Sequence, residues 1–191
     1  MTRVLLPVDK KLARFQKLFM SNPLTGPVAA FKFVLEADSR MVRVPTSVSR
    51  KMVGAEEAEA GGITGKGVRI AVLDTGADPT GVQGPYWAGS KSSVEGQMLP
   101  LDENGHSTHV MTTISGRPFK SIHGLLKGVA VDADVAAFKV LGYLLGAGTT
   151  SSVLRGIADA VEWRADIVSM SLGGPESGPE DPENRIISAL T

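Results

Sequence analysis

The clearest pattern in the chain is an apolar run from Val68 to Leu73, interrupted only by Arg69 and ending in Asp74-Thr75-Gly76. A near-continuous run of this length suits a strand buried on both faces of a parallel sheet. Ala133 to Val140 reads as a second such strand, and Asp166 to Met170 as a third that ends in Ser171-Leu172-Gly173-Gly174. Between the last two, Val153, Leu154, Ile157, Ala160 and Val161 fall at helical spacing, which predicts a helix over Thr149 to Trp163. A helix is also expected from His106 to Ile114 after Asn104-Gly105. Another is expected over the Ala/Glu-rich Lys51 to Ala60, closed by Gly61-Gly62. Strands alternating with helices imply an α/β fold with a central parallel sheet.

The flanks read differently. In residues 1–43, Asp9 heads a short helix carrying Leu12, Phe15, Leu18 and Phe19, broken at Asn22-Pro23 and Gly26-Pro27. Val28 to Leu35 then reads as a strand. This is an appendage rather than a second full domain, and residues 44–191 form the main unit. Residues 75–105 are rich in Gly, Ser and Pro without periodicity, and a loop that long in a compact domain is usually functional. Near the C-terminus, a proline- and acid-rich loop from Pro175 to Glu183 precedes an apolar element at Ile186 to Leu190.

Composition narrows the field. The 191 residues suffice for one domain, and 42% hydrophobic with 21% charged residues is ordinary globular usage. Twenty basic residues balance twenty acidic ones, so nothing points to nucleic acid or a membrane surface as partner. The absence of cysteine excludes a thiol nucleophile, disulfides and thiolate metal sites. No run is apolar enough to span a bilayer. Val4-Leu5-Leu6 before Pro7 is too short a core for a secretory signal, which favours a cytoplasmic location.

Asp74 falls where α/β sheets collect their chemistry, just past the carboxyl end of a strand. Asp-Thr-Gly is also ordinary turn chemistry, and on this stretch alone both readings stand. The second informative stretch is Asp102-Glu103-Asn104-Gly105-His106-Ser107-Thr108-His109-Val110. A neutral imidazole at the start of a helix is a natural general base near pH 7. It needs a carboxylate to fix its tautomer and stabilise the imidazolium it becomes, and Asp74 is the candidate.

The segments Ile70-Ala71-Val72-Leu73-Asp74-Thr75-Gly76, Asn104-Gly105-His106-Ser107-Thr108-His109-Val110 and Ser169-Met170-Ser171-Leu172-Gly173-Gly174 together resemble the subtilisin-like serine proteases, in that family's order. The resemblance covers roughly residues 44–174. It implies a three-layer subtilisin-like fold, incomplete at the C-terminus, and a serine-type endopeptidase acting on a peptide or protein substrate. By the same resemblance Asp74 and His106 match the triad aspartate and histidine. Asp102 matches a position bordering the substrate cleft, or is simply a carboxylate at the head of the helix. Ser171, Leu172 and Gly173 match the strand edge whose backbone pairs with an extended peptide, so Ser171 is not expected to be a nucleophile.

The sequence also departs from the family. Ser107 stands where the family usually has glycine, which would add a side chain close to the cleft and narrow it. The stretch Arg117 to Lys127 shows no pattern assignable to the family's calcium site, so neither a metal nor a cofactor is expected. The catalytic serine, in a Gly-Thr-Ser-Met-Ala-like motif, and the oxyanion asparagine are not found in these 191 residues. The chain by itself is therefore expected to be inactive and to need a C-terminal remainder, or a partner chain, carrying the serine. Arg3-Val4-Leu5-Leu6-Pro7 weakly resembles the short pro-segments of intracellular family members, which suggests an inhibitory or folding role for residues 1–43.

Three other readings compete. Asp74-Thr75-Gly76-Ala77-Asp78 also resembles retroviral-type aspartic proteases, which need a small all-β chain with two such loops sharing a proton. His106 and His109 have zinc-like proximity, but lack the intervening glutamate of the helical His-Glu-x-x-His arrangement. A pseudoprotease or fragment that binds a peptide without cutting it is the non-catalytic alternative. His109 is expected to be a structural histidine tucked under its helix, and His123 polar surface.

Overall fold

The computed structural model describes residues 2–5, 34–37, 46–79, 88–122, 124–142, 145–174 and 182–190. In chain order the strands are β1 (Thr2–Leu5), β2 (Val34–Ala37), β3 (Arg69–Asp74), β4 (Lys91–Ser92), β5 (Phe119–Ser121), β6 (Gly124–Leu126), β7 (Asp134–Lys139), β8 (Leu141–Gly142), β9 (Ala147–Thr149), β10 (Ile167–Met170) and β11 (Leu172–Gly173). The helices are α1 (Thr46–Met52), α2 (Ala55–Ala60), α3 (His106–Ser115), α4 (Thr150–Glu162) and α5 (Pro182–Leu190).

The central sheet has the order β1-β10-β3-β7-β4. Strands β10, β3, β7 and β4 run parallel, and β1 is added antiparallel at the edge of β10. Side chains alternate cleanly between the two faces. Ala71 and Leu73 of β3 join Ala136 and Phe138 of β7 in a core closed by Val153, Leu154, Ile157 and Ala160 of α4. Ile70 and Val72 join Val135 and Ala137 in a second core closed by Met111 of α3. The sheet is thus the middle of three layers, as a run apolar on both faces requires.

The chain leaves β3 for β4 at the sheet edge beyond β7, then crosses by α3 on one face and returns as β7. From β7 it crosses by α4 on the other face and returns as β10, on the far side of β3. The connections from the carboxyl ends of β3 and β7 leave in opposite directions, towards β4 and towards β10, so the carboxyl end of β3 lies at a switch point of the sheet, where a crevice can open.

Most predicted elements are present, with shifted ends. Helix α4 begins after Thr149, which caps it in a reciprocal capping box with Ser152. The expected helix over Lys51 to Ala60 is instead two helices, α1 and α2, because Gly54 adopts φ 71° between them. Ile186 of the last apolar element packs into the α4 core from α5. The helix expected after Asp9 lies outside the described residues, as do His123, most of the Pro175–Glu183 loop and the first part of the Val28–Leu35 strand. Among the described residues, no helix is long and apolar enough to cross a membrane.

Candidate active site

Asp74 ends β3 fully buried, directly beside Lys139 at the end of β7. The chain must turn at once to escape the layered core. Gly76 makes this possible with φ 122°, and a Cβ there would stand 2.6 Å from the carbonyl oxygens of Pro100 and Leu101. Those close approaches stitch the Asp74 turn to the 100–102 segment. Ala77 N–H donates to Pro100 O (2.7 Å), and Asp102 N–H donates to Ala77 O (3.1 Å).

Helix α3 begins at His106, preceded by Gly105 in the left-handed region at φ 89°. Its first turn brings the imidazole onto Asp74. His106 Nδ1 lies 2.8 Å from Asp74 Oδ1 and 2.9 Å from Oδ2, and Thr75 N–H donates to Oδ1 at 2.7 Å. An ionised carboxylate only accepts, so the proton of the neutral ring sits on Nδ1 and the lone pair on Nε2. The imidazole is oriented, buried and basic at its outer nitrogen. This is the geometry a general base needs.

Asp102 organises the approach to α3. Its Oδ1 accepts from the Thr75 hydroxyl (2.8 Å), Asn104 N–H (3.1 Å) and Gly105 N–H (2.9 Å). Its Oδ2 accepts from Thr108 N–H (2.8 Å) and the Thr108 hydroxyl (2.5 Å). Burial works to raise the Asp102 pKa. The bonds from Thr108, Gly105 and Thr75 outweigh it and hold the carboxyl below the usual range. Oδ2 thus caps the first turn of α3 through Thr108, while Oδ1 holds the loop that enters it. The Thr75 hydroxyl also accepts from Ser107 N–H (3.1 Å), closing a ring from the Asp74 turn to the helix.

Three expectations about side chains change. His109 is exposed, not tucked under the helix. The buried stripe of α3 is centred on Ser107, Met111 and Ser115, and His109 lies two residues, about 200°, from Ser107. Only one of the two histidines therefore points at Asp74, and the pair does not converge as zinc ligands would. Ser107 is fully buried, so its side chain packs inward rather than narrowing a cleft. The Asp-Thr-Gly turn stands in an α/β fold with its carboxylate on a histidine, not in an all-β chain facing a second copy.

Ser171 and Leu172 are half-buried and Gly173 is exposed, at the edge that follows β10. This edge is not bare. Strand β2 pairs antiparallel with β11 (Leu172 with Ala37, Gly173 with Glu36) and, on its other side, with β9 (Val34 with Thr149, Leu35 with Gly148, Glu36 with Ala147). The N-terminal segment lies as a middle strand between two edges of the main unit. A concavity of about 680 Å³ lies elsewhere, lined by Arg69, Asp134 and Trp163 among others. Arg69 and Asp134 begin β3 and β7, so it sits at the amino ends of the strands, opposite Asp74.

Sequence reasoning missed Thr75 and Thr108 as partners of Asp102, and Lys139 beside Asp74. Lys139 was visible as the lone charge in the apolar run Ala136-Ala137-Phe138-Lys139-Val140-Leu141.

Comparison with known proteins agrees with this architecture. Residues 65–189 match the profile of the subtilase family. The chain is 38% identical over 137 residues to the major intracellular serine protease of Bacillus subtilis (strain 168), covering 68% of this chain and 41% of that protein. It is 40% identical over 121 residues to an intracellular serine protease of Paenibacillus polymyxa, covering 61% and 36%. Against Subtilisin Savinase of Lederbergia lenta it is 39% identical over 132 residues, covering 69% and 46%. With an α/β core and a family match over most of its length, the chain belongs to the subtilase family. It spans less than half the length of each of these three relatives.

Proposed function

We propose that this chain supplies the acid–base half of a serine endopeptidase. In this reading Asp74 orients His106, and His106 Nε2 takes the proton from a serine hydroxyl as that oxygen attacks a peptide carbonyl. The imidazolium then returns the proton to the leaving amine. The observation that carries the reading is the buried Asp74–His106 contact at the switch point of the sheet. The relatives named as intracellular serine proteases support it. The serine and the oxyanion donors belong to polypeptide outside these 191 residues, either a C-terminal remainder or a partner chain, and the 191-residue chain by itself is inactive.

In the same reading, Ser171, Leu172 and Gly173 form one rail for an extended peptide, and β9 the other. Support comes from β2, which already uses both rails through backbone pairing, the β-augmentation mode. Residues 1–43 then act as a pro-segment that holds the substrate slot. Deleting them should raise peptide hydrolysis by the completed enzyme or lower its folding yield; no change in either would reject the assignment.

The test of the catalytic reading is His106→Ala against His109→Ala in protein that includes the serine-bearing part. Loss of the histidine from the subtilisin triad lowers turnover by about a millionfold, roughly 8 kcal/mol of transition-state stabilisation. The same order is expected for His106→Ala, whereas exposed His109→Ala should leave turnover near normal. Wild-type turnover in His106→Ala would reject the assignment.

A further inference from the structure

Lys139 is the last residue of β7 and is 1% exposed. Taking an ammonium out of water costs several kcal/mol, and burial pushes the Lys139 pKa down even though Glu103, Asp102 and Asp74 lie nearby. A methionine or leucine would fill the same space without that penalty. What the ammonium makes in return is specific. Nζ donates to the carbonyl oxygen of Thr75 (2.6 Å) and to that of Leu101 (2.8 Å), with Glu103 Oε2 at 3.8 Å.

These two carbonyls belong to the two segments that build the site. Thr75 follows Asp74. Leu101 precedes Asp102, whose carboxylate caps the helix that starts at His106. Among the described residues, the 100–103 segment also meets the Asp74 turn through the Ala77–Leu101 bridge, with its two backbone hydrogen bonds, and through the Thr75 hydroxyl. One nitrogen therefore ties the strand end carrying Asp74 to the segment that aims His106. A compact ammonium with three rotatable donors sits between two carbonyls in this way, whereas the longer, planar guanidinium fork would hold its donors in a different arrangement.

We infer that Lys139 is a positioning residue that sets the Asp74–His106 contact through the Thr75 and Leu101 carbonyls, an inference that rests on the catalytic reading of that pair. The test is the downfield NMR resonance of the His106 Nδ1 proton in the 191-residue chain, assigned by its loss in Asp74→Asn. Lys139→Met keeps the length of the stem and removes the donors. It is expected to abolish this resonance or shift it towards that of a solvent-exposed imidazole. Ile157→Val, a core truncation in α4, controls for lost stability and should leave it in place. An unchanged resonance in folded Lys139→Met would overturn the inference while leaving the pair itself intact. Absence of the resonance from the unsubstituted chain would count against both. Should Lys139→Met fail to fold, Lys139→Arg carries the test. It keeps the charge but must still shift the resonance, and an unaltered signal there overturns the role.

Discussion

Replacing Asp102 separates the two roles its position allowed. At the entry to α3 it accepts five hydrogen bonds, three on Oδ1 from the preceding loop and the Asp74 turn and two on Oδ2 from Thr108 in the helix. Bonds from Asn104 and Gly105 are exposed, so water can replace the carboxylate there at little cost. Those from Thr75 and Thr108 are partly buried, and hydrogen bonds to a charged group contribute about 1.5–3 kcal/mol each before solvent screening. Loss of an N-terminal cap alone costs about 1 kcal/mol. Asp102→Ala should therefore destabilise the chain by about 2–4 kcal/mol. Asp102→Asn, which keeps one accepting oxygen, should cost about 1–2 kcal/mol. Urea denaturation at constant m-value measures both.

The pH dependence has a definite sign. The folded pKa of Asp102 lies below its unfolded value, so its contribution is fully present above about pH 4. It is lost as pH falls through the folded pKa, and the stabilities of the wild type and Asp102→Asn should converge there. If Asp102→Ala instead left neutral-pH stability within about 0.5 kcal/mol of wild type while weakening peptide binding, the capping account would be wrong and a cleft-lining role right.

Further substitutions probe the frame around the site. The Ser107 hydroxyl is buried without a hydrogen-bond partner among the described residues, so Ser107→Ala should stabilise the chain by up to about 1 kcal/mol in thermal unfolding; a loss of that size would contradict this. Buried Arg50 pairs with partly exposed Glu59 and donates to Gly128 O; Lys127 remains on Glu59, so Arg50→Met should cost about 1–3 kcal/mol by denaturant titration, mainly from the Gly128 carbonyl left without its donor. Gly156 sits where a Cβ would stand 2.3 Å from Val140 Cγ1. The overpacking cost of about 1–3 kcal/mol should outweigh the roughly 1 kcal/mol gained in helix propensity, and Gly156→Ala should lower the melting temperature.

The sheet and α4 were legible because both are buried by local pattern. Ile70 to Leu73 and Val135 to Phe138 are apolar at every position, and Thr149 with Ser152 marks the helix start. Asp74 and His106 were legible from their places at a strand end and a helix start. What could not be read locally depends on distant partners. Strand β2 finds its edges more than a hundred residues away, at Thr149 and Leu172, and β4, β8 and β11 are two-residue strands with no periodicity to detect. The break between α1 and α2 was hidden by continuous Ala/Glu composition, although Gly54 marked it. The inward turn of Ser107 and the outward turn of His109 follow from the phase of the α3 stripe, which is fixed by Met111 packing under the sheet.

The account rests on this chain carrying the aspartate and histidine of a serine mechanism and not the serine. Fluorophosphonate labelling of the native material, read by intact mass, tests that directly. Label is expected on a longer or separate polypeptide that carries the serine, and none on the 191-residue chain itself. Covalent label on this chain, at Ser171 or any other serine, would contradict the account.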